Sequence, residues 1–223
     1  MTPTKGALLL FVLYLGLHGA HGQSVDVSKR VDCFPEPGAS QDLCQSRGCI
    51  WTEAPSNSPT GTPWCYYPTE SGYTVQSTGT NSFVLAAVSK NPYGDNISPL
   101  NVKYSSNGAT LLLTIGNDDR YVPPVNIPKK PSTSTESLKF TSSNIGSSNI
   151  FSFKVTRAST GVALWDTSIG GMQFADKFIQ IATYLPTKNI YGFGDHIHKK
   201  IKCKNCNPRG KHDKSSATSK AAT

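Results

Sequence analysis

Apolar side chains return at every second position along much of this 223-residue chain. Leu100, Val102 and Tyr104 alternate with polar neighbours, as do Leu111, Leu113 and Ile115, and again Phe151, Phe153 and Val155. A period of two with one apolar face is the pattern of antiparallel strands half buried on a core. The stretch "IGNDDRY" is turn chemistry between two such strands, because Gly116-Asn117-Asp118-Asp119 suits tight reversals. No window of a dozen residues shows helical spacing. The region beyond Pro68 is therefore expected to be all-β, with about seven or eight strands in an antiparallel β-sandwich. The run from Pro128 to Asn149, rich in Ser, Thr, Asn and Lys, is expected to be a long loop.

Ahead of this region the alternation is absent and cysteines take its place. Cys33, Cys44, Cys49 and Cys65 fall in one short stretch, whereas Cys203 and Cys206 stand apart near the end. The first 22 residues hold one lysine, Lys5, an apolar run from Gly6 to Leu17, and then the small-residue stretch His18 to Gly22. That is the layout of a signal peptide, and the run is shorter than the roughly 20 residues needed to span a bilayer. Residues 1–22 are thus expected to be removed, leaving Gln23 as the mature N-terminus of a secreted or lumenal chain with no stable membrane span. Disulfides persist in that setting, and four cysteines beside little apolar core read as a two-disulfide staple with three pairings open. Each closed loop of about 15 residues would contribute about 3 kcal/mol in the chain-entropy picture. Asn96-Ile97-Ser98 is a sequon, which makes Asn96 a candidate glycan acceptor.

The formal net charge of +8 is concentrated at one end. Residues 199–223 carry eight Lys and Arg against Asp213 alone, while the other 198 residues hold 14 basic and 13 acidic groups. A basic block in a Ser/Lys/Ala-rich end is expected to be a solvated, disordered basic C-terminal tail. It contains no Phe, Tyr or Trp, so the stacking platform of a nucleic-acid groove is missing and no nucleic-acid partner is expected. Cys203-Lys-Asn-Cys206 has a spacing that would let two thiolates meet one zinc, with His196, His198 or His212 to complete the set. These are weak metal candidates, since thiols in an oxidising compartment favour disulfides.

Catalytic groups are harder to place. Asp118-Asp119 belongs to a turn, and Asp195 beside His196 and His198 has no partner set around it in sequence. There is no Gly-x-Ser-x-Gly elbow, and Gly192-x-Gly194 lacks the third glycine of a dinucleotide loop. No cofactor and no catalytic residue are expected.

Two resemblances organise these observations. The stretch "VDCFPEPGASQDLCQSRGCIW" followed by "TPWCYYP" resembles the P-type trefoil domain, covering residues 23–68. The family has six cysteines, paired first to fifth, second to fourth and third to sixth. Here the first is missing and Ile50 stands at the fifth, and those two are partners. The resemblance therefore implies Cys33–Cys49 and Cys44–Cys65. It also implies Trp64 and Tyr66 as candidate carbohydrate-binding residues, set against a structural reading in which both cover a small core, and it leads to the expectation that this unit folds independently.

The stretches "RYVPPVNIP" and "FSFKVTRASTGVALWDTSIGGMQFADKFIQIATYLPTKNIYGFGDHIH" resemble the N-terminal, galactose-mutarotase-like β-sandwich of glycoside hydrolase family 31, in its maltase-glucoamylase, sucrase-isomaltase and lysosomal α-glucosidase branch. Lys177, Phe193 and Asp195 depart from that pattern, and Asp166 and Asp176 match sandwich positions rather than catalytic ones. The resemblance implies a trefoil followed by an incomplete sandwich at 69–198. The two carboxyl groups that retaining glycosidases hold about 5 Å apart would lie on a barrel beyond it. Its implied partners are carbohydrates, either an α-glucan oligosaccharide or a glycoprotein glycan. The rival reading is a stand-alone secreted trefoil module with lectin-like binding.

Overall fold

The computed structural model describes residues 25–118, 124–125 and 132–187. The first unit is built on one short helix and one short hairpin. Helix α1 (Gln41–Ser46) starts at Ser40, whose Oγ accepts a hydrogen bond from the Leu43 amide at 3.3 Å. It stops at Gly48, whose φ of +76° is a left-handed conformation that closes a helix at little cost only for glycine. The chain then enters β1 (Ile50–Trp51), which pairs antiparallel with β2 (Cys65–Tyr66). Cys33 is bonded to Cys49 and Cys44 to Cys65, and all four are buried.

The rest of the described chain is a sandwich of two antiparallel sheets. The first sheet contains β3 (Tyr73–Gly79), β4 (Ser82–Ala87), β5 (Leu100–Asn107) and β6 (Thr110–Gly116) in chain order. The second contains β7 (Leu138–Asn144), β8 (Phe151–Arg157) and β9 (Ala163–Asp166), and a small hairpin of β10 (Gln173–Phe174) and β11 (Ile179–Gln180) follows. Consecutive strands pair because their connections are short. Between β5 and β6 only Gly108 and Ala109 turn the chain, with Gly108 at φ +56°.

The alternating residues face one another across the two sheets. Phe83, Leu85, Leu100 and Val102 from the first sheet meet Phe151, Phe153 and Val155 from the second, with Met172 and Phe174 closing one end. Tyr104, Leu111, Leu113 and Ile115 pack at the margin of this core. Tyr73 is buried among them, with its hydroxyl 2.8 Å from the Phe174 carbonyl and 2.9 Å from that of Ile97. Its single proton serves one or the other, and burial pushes the phenol up to about 12. That bridge ties β3 to β10 across 101 residues of sequence.

The structure departs from the sequence reading in one element and adds another. The stretch 128–149 is not simply a loop, because it contains β7, which pairs along its whole length with β8. Leu138 and Phe140 supply the inward face, and Phe140 lies between Tyr104 at 4.2 Å and Phe153 at 5.2 Å, measured between ring centroids. The outward half is Lys139, Thr141 and Ser143, whose polarity masks the alternation in a composition-based reading. Helix α1 is too short to show helical periodicity. Among the described residues nine strands follow Pro68, two of them only two residues long.

The change Phe140→Ser is expected to lower stability by about 2–3 kcal/mol, since it empties a half-buried aromatic site. Denaturant unfolding of the full chain measures this, and a loss below about 0.5 kcal/mol would mean that β7 packs like a surface loop.

Candidate functional site

Arg30 organises the solvent-facing end of the first unit. Its side chain is buried with no acidic ion-pair partner among the described residues, and its guanidinium donates to backbone carbonyls. Nη1 donates to Thr52 O at 2.9 Å and to Pro63 O at 3.2 Å, and Nε reaches Val25 O at 3.5 Å. The planar fork of arginine suits this task, and its face lies 4.3 Å above the Tyr66 ring. Thr52 and Pro63 are the two ends of a polar loop. Arg30 therefore holds the base of that loop closed, assisted by the Thr52 amide donating to Trp64 O at 2.9 Å.

Trp51 and Trp64 flank this base. Their ring centroids are 5.8 Å apart and their planes cross at 80°, an edge-to-face pair. Trp64 is 43% exposed, so part of its indole is open to solvent beside the Trp51 ring. Tyr66 is placed differently. It is fully buried beneath Arg30, and its hydroxyl is 3.3 Å from Thr52 Oγ1. Of the two aromatic candidates read from sequence, Trp64 is exposed and Tyr66 is buried in the small core. Trp51, which the sequence pattern does not single out, closes the same "CIW" motif and sits opposite Cys65 in the hairpin register.

Other residues of this unit rest on the sandwich. Val31, Phe34, Tyr67 and the four disulfide cysteines share one apolar cluster with Ile169 and Ala182, and Tyr184 packs at its edge. Gln180 of β11 donates to the Asp32 carbonyl at 2.9 Å. Arg47 makes an ion pair with Glu36, and Nη1 donates to the Tyr93 hydroxyl at 2.8 Å. Burial alone would raise the Glu36 carboxyl, but hydrogen bonds from Arg47 and Tyr93 outweigh it and hold the group at about 2 instead of 4.5.

Other sequence candidates are engaged in the fold. The Asn96 side-chain amide donates to Ser89 O at 2.6 Å, and Ser98 Oγ accepts from the Ala87 amide at 3.2 Å, so both polar groups of the sequon have partners. Asp118 pairs with Lys103 at 3.2 Å. Asp166 pairs with Lys154 at 2.8 Å, and although burial opposes ionisation, that contact and the Ser168 hydroxyl hold its carboxyl below the usual range. Cys33, Cys49 and Cys65 bring their sulfurs close together, but each is consumed in a disulfide. The proposed leader 1–22, the basic tail 199–223, and Asp119, Gly192, Gly194, Asp195, His196, His198, Cys203, Cys206 and His212 lie outside the described residues.

Comparison with known families matches residues 23–68 to the Trefoil (P-type) domain. The first unit is a trefoil. The chain is 31% identical over 188 residues to intestinal sucrase-isomaltase of Rattus norvegicus, covering 81% of this chain and 10% of the relative. It is 33% identical over 184 residues to the Homo sapiens sucrase-isomaltase, covering 79% and 10%. It is also 30% identical over 193 residues to lysosomal alpha-glucosidase of Rattus norvegicus, covering 78% and 19%. The chain is thus homologous, trefoil and sandwich together, to the N-terminal region of these glycoside hydrolase family 31 proteins. It spans about a tenth of the length of the sucrase-isomaltases and about a fifth of the lysosomal alpha-glucosidases.

A pH dependence follows from the lowered Glu36 group. A carboxyl whose folded value lies at about 2 against an ordinary 4.5 stabilises the fold above pH 4.5, and that contribution fades as pH falls through about 2. Because the side chain is 36% exposed, solvent screening leaves roughly 1 kcal/mol. Glu36→Gln is expected to be less stable than the parent by that amount near neutral pH. The gap should close towards pH 2, as read from denaturant midpoints across the range.

Proposed function

We propose that this chain is the carbohydrate-facing N-terminal part of a family 31 α-glucosidase that travels the secretory route, and that its trefoil contacts sugar through Trp64. The observation that carries this reading is the exposed indole of Trp64 set at 80° to Trp51 on a loop clamped by Arg30. A pyranose presents a flat, weakly polar face, and an open indole of fixed orientation accepts such a face with little further ordering. The hydroxyl-bearing loop between Thr52 and Thr62 lies beside the same corner and offers hydrogen-bond partners for ring hydroxyls.

The relatives support the substrate class, since those named above are a sucrase-isomaltase and an alpha-glucosidase. Hydrolysis belongs to the whole enzyme in this reading. This N-terminal part serves binding and scaffolding, and its acids Asp118 and Asp166 make ion pairs with Lys103 and Lys154. A secretory route agrees with two disulfides in the trefoil and with the apolar run from Gly6 to Leu17. No helix among the described residues is long and apolar enough to cross a membrane. The contact between trefoil and sandwich favours this reading over a stand-alone lectin-like module, because that face of the trefoil is already covered.

Binding of the full chain to maltose-type oligosaccharides, followed by calorimetry, tests the proposal. Trp64→Ala is expected to weaken binding at least about tenfold, or about 1.4 kcal/mol. Equal affinity in parent and variant, or no binding by the parent to these sugars or to mucin-type glycans, would overturn it.

A further inference from the structure

The contact between the trefoil and the sandwich includes a run of ring and guanidinium contacts. The Arg47 guanidinium lies 3.5 Å from the Phe34 ring centroid and 5.1 Å from that of Tyr93. Tyr93 in turn stacks on Phe178 with centroids 4.0 Å apart and planes 21° apart. Phe34 and Arg47 belong to the trefoil, whereas Tyr93 and Phe178 come from two separate connections of the sandwich. Polar contacts join the same groups. The Tyr93 hydroxyl accepts from Arg47, donates to Glu36 Oε2 at 2.7 Å, and lies 3.1 Å from the carbonyl of the disulfide residue Cys33.

Elsewhere along the same seam the approach is also close. A side chain at Gly170 would run into the Val31 side chain. The trefoil meanwhile carries two staples, with Ile50 directly after Cys49 where its family has a further cysteine. Its buried residues Val31, Phe34 and Tyr67 have Ile169 and Ala182 as part of their packing. Separated from the sandwich, this small core would lose one of its walls.

We infer that the trefoil of this chain is not an autonomous module but a docked part of the sandwich, and that Tyr93, gripped by Arg47 and Glu36, is the lock that stands in for the missing third staple. The lock has a functional consequence. It commits the Cys33, Phe34, Glu36 and Arg47 face to an internal partner and leaves the Trp64 corner as the outward face of the trefoil. This reverses the expectation from sequence that the trefoil folds on its own, and it holds whether or not Trp64 binds sugar.

Hydrogen exchange of the disulfide-intact full chain, resolved by peptide, reads the coupling directly. Tyr93→Ala lies outside the trefoil sequence, yet it is expected to speed exchange in α1 and in the β1–β2 hairpin at least about tenfold while β4 and β5 keep their protection. Unchanged trefoil protection in Tyr93→Ala would overturn the inference. Should that variant fail to fold, Tyr93→Phe decides. It keeps the ring on Phe178, removes only the hydroxyl, and is expected to speed the same trefoil amides at least about threefold. Parent rates in Tyr93→Phe would then overturn it.

Discussion

The structure depends on one shared apolar cluster. Within the trefoil, buried apolar side chains are few, and the four disulfide sulfurs occupy much of its interior. Small domains of this size do not bury enough surface to be stable without covalent or external help. Two disulfides supply part of that help, and Ile169 and Ala182 of the sandwich supply the rest by covering Val31, Phe34 and Tyr67. Everything placed on the trefoil inherits its position from this contact. The sandwich also holds its own side in place, because Tyr73 bridges β3 to β10, and the β10–β11 hairpin carries Phe178 and Gln180 to the seam.

Once the trefoil is seated, its two sides differ in chemistry. The inward side is a charged and aromatic set in which an arginine, a glutamate and a tyrosine satisfy one another, so charge is taken from solvent only where it is paired. The outward side is held by Arg30 through neutral carbonyls, which leaves the loop ends fixed and the loop itself free to carry hydroxyl and amide groups. Trp64 stands at the boundary. Its indole is partly exposed, whereas Tyr66, two residues further along, is fully buried.

Much of this was legible in the residues. The alternation of Leu100, Val102 and Tyr104 and of Phe151, Phe153 and Val155 reports a one-sided burial that the sandwich core realises, because period-two patterning is set by the pleat itself. The cysteine spacing with its aromatic flanks was specific enough to mark the trefoil. Strand β7 was hidden because only Leu138 and Phe140 on its inward side are apolar, and its Ser and Thr residues read as loop composition. The different fates of Trp64 and Tyr66 could not be read from neighbouring positions, since they depend on Arg30, more than thirty residues upstream. The lock was likewise invisible. Glu36, Arg47, Tyr93 and Phe178 are scattered over the chain, and no local pattern announces a contact made by tertiary packing.

As proposed, the sandwich fixes the trefoil so that one indole corner is presented to carbohydrate. The three tryptophans allow a direct test, because Trp51 and Trp64 form the corner while Trp165 packs edge-on against Phe153 in the sandwich. Indole N–H resonances of the full chain should be followed by NMR during addition of a maltose-type oligosaccharide. The account predicts saturable shifts at Trp64 and Trp51 with Trp165 unmoved. Shifts confined to Trp165, or no shift at any of the three, would contradict it.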